Sequence, residues 1–230
     1  MSLISTNLFI SVKSYYFLFL FMKVVKFHML LFVFFLASFC LKGLSQKIDY
    51  AQFDTRRASL VLFDKINKFR DTITQTGYGK DLDSAWPCLK NNHKILQLTW
   101  SEKLYYTVVL PNTLENVKQK KLFHVDRTEW WKDKSNQALF MDEVYPTKNK
   151  GFRLTLSENG GYTTHQFETY QELADHMIMC WESSFMHKCA QRGLLKNTYF
   201  YEKGYESKTI AATCVIYSEG ICYFFVDFVY

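Results

Sequence analysis

The chain has 230 residues, 48% of them hydrophobic and 18% aromatic, with nine glycines and three prolines. This composition excludes a disordered or collagen-like chain and supplies enough apolar side chains for a folded core. The formal charge of +6 includes Lys13, Lys23, Lys26 and Lys42, which lie in an opening stretch without Asp or Glu; without them it falls to +2, too little to point to nucleic acid.

Residues 1–45 read as a signal peptide or targeting segment. From Met22, a possible functional start, Lys23 and Lys26 form a basic end and Met29 to Leu36 an apolar run. Ser45-Gln46 then offers cleavage after a small residue. The competing reading is a membrane anchor, since the apolar stretch is long enough to span, although Lys23, Lys26 and His28 interrupt it. Export predicts a secreted or periplasmic product, residues 46–230, about the size of one domain. Neither a repeat nor a long linker divides that part.

Along the mature chain, Leu60, Phe63, Ile66, Phe69 and Ile73 recur at helical spacing and predict an amphipathic helix over 60–73. Thr99 with Glu102 has the capping-box pattern of a second helix start, which Pro111 is expected to kink or break near Leu110. Residues 125–150 read as polar and irregular, with Trp130 and Trp131 as anchors, and "GFRLTLSENGG" as a short strand leading into a loop. Residues 169–181 predict a third helix, and a shorter helical turn follows near "HKCAQRGLL". Two β-rich runs around "SEG" close the chain as an antiparallel hairpin. The predicted class is α+β, with helices on a small antiparallel sheet.

Several elements, taken in order, carry a resemblance. "INKFR" supplies Asn67 and Arg70, "LTWSEKL" supplies Leu98, Trp100 and Leu104, and "KLFH" ends on His124. "SENG" gives Glu158 and Asn159, and "WESSFMH" runs from Trp181 to His187. "AATCVIY" and "CYFFVDF" close the pattern. In this order and spacing the chain resembles the CAP superfamily, the domain of cysteine-rich secretory proteins, antigen 5 and pathogenesis-related proteins, over roughly residues 58–228. The match departs from the bacterial pattern at Phe185 and Met186, where proline and glycine are usual, and Ser184 stands near the place of a second glutamate.

That resemblance implies a three-layer α-β-α sandwich and a central cleft formed by His124, Glu158 and His187, with Asn67, Arg70, Trp100 and Trp181 as structural residues. Two imidazoles and a carboxylate suit Zn or another divalent metal, with His124 and His187 as ligands, or a general acid/base pair. The resemblance implies a non-enzymatic binding or interaction module for a protein or lipid ligand. A metal-dependent hydrolase or protease using the same cleft is the alternative, and a vestigial cleft on a domain acting through its surface is a third reading. Among other motifs, the P-loop, H-E-x-x-H, G-x-S-x-G and C-x-x-C patterns are absent.

Export leaves five cysteines, at 88, 180, 189, 214 and 222, where disulfides persist. Spacing suggests Cys180–Cys189 as a clamp on the His187 loop and Cys214–Cys222 across the hairpin, symmetric about Ser218, with Cys88 left over. His93, His165 and His176 match no ligand spacing.

Overall fold

The computed structural model describes residues 47–76, 97–145, 154–191 and 208–230. Contacts divide the chain into two units, Met1–Gln46 and Lys47–Tyr230, and the described residues all belong to the second. The leader reading therefore lies outside the described residues, as do Cys88 and His93. Among the described residues no helix is long and apolar enough to cross a membrane.

Helix α1, Thr55–Thr76, starts one turn before the apolar periodicity because Asp54 caps it, accepting a 2.9 Å bond from the Arg57 amide. Strand β1, Leu98–Trp100, follows. Thr99 lies in that strand, so the cap of the next helix is Ser101, whose hydroxyl accepts from the Leu104 amide. Helix α2 spans residues 102–119 without breaking at Pro111. Its middle, Tyr105–Val109, widens into a π turn, and the proline falls at the start of the following α-helical segment Leu110–Gln119. A widened turn relieves the carbonyl that a proline ring would strike, so the helix continues through Pro111 instead of breaking there.

The stretch expected to be irregular holds two helices, α3 (Thr128–Lys132) and α4 (Lys134–Val144), the latter capped by Asp133. "SENGG" is not a loop. It lies inside β2, Leu156–Thr163, where the rings of Phe225 and Phe224 press on Gly160 and Gly161 so closely that neither has room for a Cβ. Helix α5, Tyr170–Glu182, opens on a full capping box of Thr169 and Glu172, and α6, Phe185–Gln191, follows. Strands β3, Thr209–Ser218, and β4, Ile221–Val229, form the closing hairpin.

The fold is α+β, as the sequence predicts, but its sheet is mixed. The strand order is β1-β3-β4-β2; β1 runs parallel to β3, and the other pairings are antiparallel. The parallel edge is held by Asn67 of α1. Its amide donates to the Leu98 carbonyl at 3.1 Å and its oxygen accepts from the Leu98 amide at 2.8 Å.

Alternating side chains of the two central strands feed two separate apolar clusters. Ala211, Val215, Phe224, Val226 and Phe228 meet α1 and α5, among them Leu62, Ile66, Leu173, Met177 and Trp181. Ile210, Ala212, Cys214, Phe225 and Val229 meet α2 and α4 through Leu104, Val108, Val109 and Phe140. Helices thus cover both faces of the sheet.

The expected cysteine pairs are not formed. The hairpin turns at Glu219 and Gly220, whose φ values of 50° and 83° make a two-residue turn, so its centre lies beyond Ser218. Cys214 therefore pairs in register with Phe225 and Cys222 with Tyr217, and the two thiols enter opposite clusters. Cys180 is likewise a free thiol, and the side chain of Cys189 lies outside the described residues.

Arg70 is buried at 2% exposure, where it donates to the carbonyls of Gln191 (2.8 Å) and Ala190 (3.3 Å) at the end of α6. A cation there satisfies carbonyls that the helix leaves open. Trp100 is half-buried against Phe63, edge to face. Trp181 is buried, and its indole N–H donates to the Gly160 carbonyl at 3.2 Å on the outer edge of β2.

Gly160 and Gly161 lie under Phe225 and Phe224, and a Cβ at either position would overlap the facing ring. Gly160→Ala and Gly161→Ala are each expected to destabilise the domain by about 1–3 kcal/mol through overpacking. Urea unfolding of both variants checks this, with the exposed Thr164→Ala as control.

Candidate functional site

Strand β2 brings two of the predicted cleft residues to one sheet edge. Glu158 points to the side of α2, and Nδ1 of His124 lies against its Oε1. The other oxygen, Oε2, accepts from the Asn112 amide at 2.8 Å. Asn159, the next residue, turns to the opposite face and donates to the His187 carbonyl at 2.9 Å. So β2 holds His124 by a side chain and the His187 segment by its backbone.

His124 reaches this place because α2 ends in a defined way. Lys120 adopts the left-handed conformation, φ 50°, and its amide donates back to Asn116 and Val117. Asn116, fully buried, then accepts from the Phe123 amide at 2.8 Å and fixes the loop that carries His124. His124 remains exposed, whereas the Glu158 side chain is only 14% exposed. Its bond to Glu158 is the main force raising the His124 pKa above the usual histidine range, against partial burial. Burial lowers that of His187, helped by His124, so the second imidazole is held neutral within reach of the first one's field.

Three residues that the sequence reading did not single out complete the site. Arg127 donates from Nε to the Asn112 oxygen at 2.6 Å, and its guanidinium lies 5.8 Å from the Trp130 ring centre. Asn112 thereby bridges Arg127 and Glu158. Asp227 lies directly opposite Glu158 in the β2–β4 register, with its side chain fully buried. Neither of its carboxyl oxygens has a hydrogen-bond partner among the described residues.

Like charges directly opposed across a sheet repel. Burial, and then Glu158, push the Asp227 carboxyl well above the usual carboxylate range, while Arg127 pulls the other way. The proton of this pair therefore resides on Asp227. One signal for it was present in the sequence: Asp227 is the single acid in an otherwise apolar or aromatic strand.

A cavity of about 380 Å³ opens beside this group, lined by His124, Arg127, Trp131, Leu156, Glu158 and Asp227 among others. Trp131 is fixed there by its indole N–H, which donates to the Leu154 carbonyl at 3.2 Å, and by stacking on Phe140. Its walls combine an aromatic ring, aliphatic carbons, two carboxyl groups and two cations, since Lys132 also borders it. Such mixed walls suit a small molecule with an apolar body and hydrogen-bonding substituents.

The metal expectation fits less well. Among the described residues no three His, Cys, Asp or Glu side chains converge as ligands. His124 is already engaged by Glu158, and Arg127 and Lys132 add positive charge to the same cavity. The set His124, Glu158 and His187 is thus not assembled as a metal centre among the described residues.

Comparison of the chain with family models, with curated proteins and with solved structures finds no match.

Two pH dependences follow. The His124–Glu158 bond raises the folded-state pKa of the histidine, so its stabilisation is fully present below the unfolded value near 6.5 and fades as pH rises through the folded one. His124→Gln is expected to lose more stability relative to wild type at about pH 5.5 than at about pH 8, read from guanidinium unfolding at both pH values.

Asp227 has the opposite chemistry and the same sign. A carboxyl whose folded pKa is raised binds its proton more tightly folded than unfolded, so wild-type stability falls as pH climbs above about 4. Asp227→Asn keeps the neutral form at every pH. Its stability relative to wild type is expected to rise between about pH 5 and about pH 8, and a pH-independent difference would contradict the assignment of the proton.

Proposed function

We propose that the chain is an exported, CAP-like binding module whose ligand occupies the cavity beside His124 and Glu158. The observation that carries this reading is the cavity itself. It lies at an edge of the sheet, and a bridged set of polar side chains, Asn112, Arg127, Glu158 and His124, converges on it from three separate segments of the chain.

Further support is the role of the residues behind the resemblance. Asn67 and Arg70 join α1 to β1 and α6, while Trp181 closes the outer edge of β2. These are scaffold bonds, which hold a cleft without taking part in chemistry. The alternative, a metal-dependent hydrolase, needs a ligand set and an activated water; the His124–Glu158 pairing and the adjacent Arg127 argue for binding instead. Export rests on the basic and apolar pattern of residues 22–45.

The test is isothermal calorimetry with zinc on wild type, His124→Ala and His187→Ala, coupled to a thermal-shift panel of small amines, polyols, fatty acids and sterols. The binding reading expects zinc affinity indifferent to both substitutions. It also expects at least one compound class to raise the melting temperature of wild type but not of Glu158→Gln or Arg127→Met. Zinc binding lost in both histidine variants would favour the hydrolase. A panel without any Glu158-dependent shift would sink the ligand site.

A further inference from the structure

The polar groups around the cavity at Glu158 differ in what they still have to offer a ligand. Both Glu158 oxygens are engaged, Oε1 by His124 and Oε2 by Asn112. Half-buried Arg127 donates from Nε to the Asn112 oxygen and from Nη2 to the Val108 carbonyl at 3.4 Å, which leaves Nη1 without a partner among the described residues. His124 has committed Nδ1 to Glu158, so Nε2 is the nitrogen it has left. Asp227 borders the same space with its side chain fully buried and neither carboxyl oxygen partnered among the described residues. Lys132 stands at the border as well, exposed and paired with Glu129 at 2.7 Å.

We propose, on the reading that the chain is a binding module, that the ligand of this cavity is a small monocarboxylate whose head group meets Arg127 and Asp227 and whose apolar body lies along Trp131 and Leu156. The open groups are donors. A guanidinium N–H bonds a carboxylate oxygen strongly because charge assists the bond, and its planar shape suits that partner. Asp227 donates too. Burial, and then the Glu158 carboxylate opposite it in the strand register, keep the proton on Asp227, so it presents an O–H that a carboxylate oxygen accepts. A ligand oxygen there would complete the one buried carboxyl that the fold leaves without a partner among the described residues.

Charge decides between head groups. With Asp227 neutral, the two cations Arg127 and Lys132 face the single anion Glu158, and a protonated His124 widens that margin. One further negative charge is attracted, whereas a doubly charged head such as a phosphate would press on the Glu158 carboxylate in the same wall. An ammonium head would meet Arg127 and Lys132 and find both Glu158 oxygens already bonded. The other end of the cavity accepts only an apolar group. Val125, Trp131 and Leu156 line it, and the Trp131 indole N–H is engaged by the Leu154 carbonyl, so that side chain has ring surface alone to offer. Such a division, an apolar wall with a few convergent polar groups, orients a small ligand by its head.

The test compares molecules with one body and different heads, 4-phenylbutyrate, 4-phenylbutanol and 4-phenylbutylamine, by isothermal calorimetry on the full chain. Wild type is expected to bind the carboxylate at least about tenfold more tightly than the alcohol or the amine, and Arg127→Met to lose more than about tenfold of that affinity. Asp227→Asn keeps a neutral donor at its place and is expected to retain the binding. The comparison of heads needs wild type alone, so a variant that fails to fold does not disable it. Tighter binding of the amine would overturn the proposal and leave the ligand site standing, with Asp227 ionised to hold a cation. Equal binding of all three molecules would also overturn it, since the apolar walls would then act alone, as would carboxylate binding indifferent to Arg127→Met. Failure of the carboxylate to bind overturns the head group; the ligand site itself falls only if no compound class gives a Glu158-dependent thermal shift.

Discussion

The register of β2 on β4 is the constraint from which the rest follows. It sets Gly160 against Phe225 and Gly161 against Phe224, one on each face, and it sets Glu158 against Asp227. A slip of one residue would exchange the faces of every side chain on β2. It would also bring a residue with a Cβ, Asn159 or Tyr162, under one of the two phenylalanine rings. The glycines thus act as register pins, and the polar site inherits its geometry from an apolar packing requirement. Asn159 shows how far this reaches, because its orientation toward α6 is fixed by the same alternation that turns Glu158 toward α2.

The two faces of the sheet are built for different ends. Against α1 and α5 the packing is almost wholly apolar, and its few polar members are tied down: Ser59 accepts from Val215, Thr213 donates to Ser59, and Arg70 closes α6. Against α2 the apolar contacts of Val108 and Val109 give way, one turn later, to Asn112, Thr113 and Asn116, all buried. Each of these three has a partner, whereas Asp227, on the same face of β4, has none among the described residues. A buried carboxyl left alone in a bonded network costs stability that packing alone would not incur. Its persistence beside a cavity is the kind of local inconsistency that marks a functional site.

Much of this was legible in the sequence because it rests on periodicity. The helical spacing of Phe63, Ile66 and Ile73 and the β-rich runs of the hairpin identify elements whose burial the fold then supplies, although Leu60, read into the same stripe, is exposed and Leu62 is buried instead. The pairing of His124 with Glu158 was visible only through a resemblance in order and spacing, since 34 residues separate them and local pattern carries no record of their contact. What failed did so for identifiable reasons. Polar residues in 125–145 concealed two short helices, because Asp133 and Gln137 spend their polarity on caps and on the segment before β2. Glycines in "SENGG" suggested a loop, although they are demanded by close packing within a strand. Pro111 suggested a break, which a π turn absorbs. Asp227 and Arg127 lacked any motif, and their significance is a property of register and burial.

The cysteines show the same limit from another side. Symmetry in sequence suggested a bond across the hairpin, yet a two-residue turn shifts the centre and sends Cys214 and Cys222 to opposite faces. Each is sealed in its own cluster, with burial raising their pKa values to about 11 and about 12, so they behave as small apolar side chains rather than thiolates. An oxidising environment has no route to join them, because the sheet itself lies between the two sulfurs. Cys180 differs in being half-buried and in facing an imidazole. The reactivity of these three thiols is therefore decided by the fold: two are withdrawn into the cores, and the third is left where a partner atom can reach it.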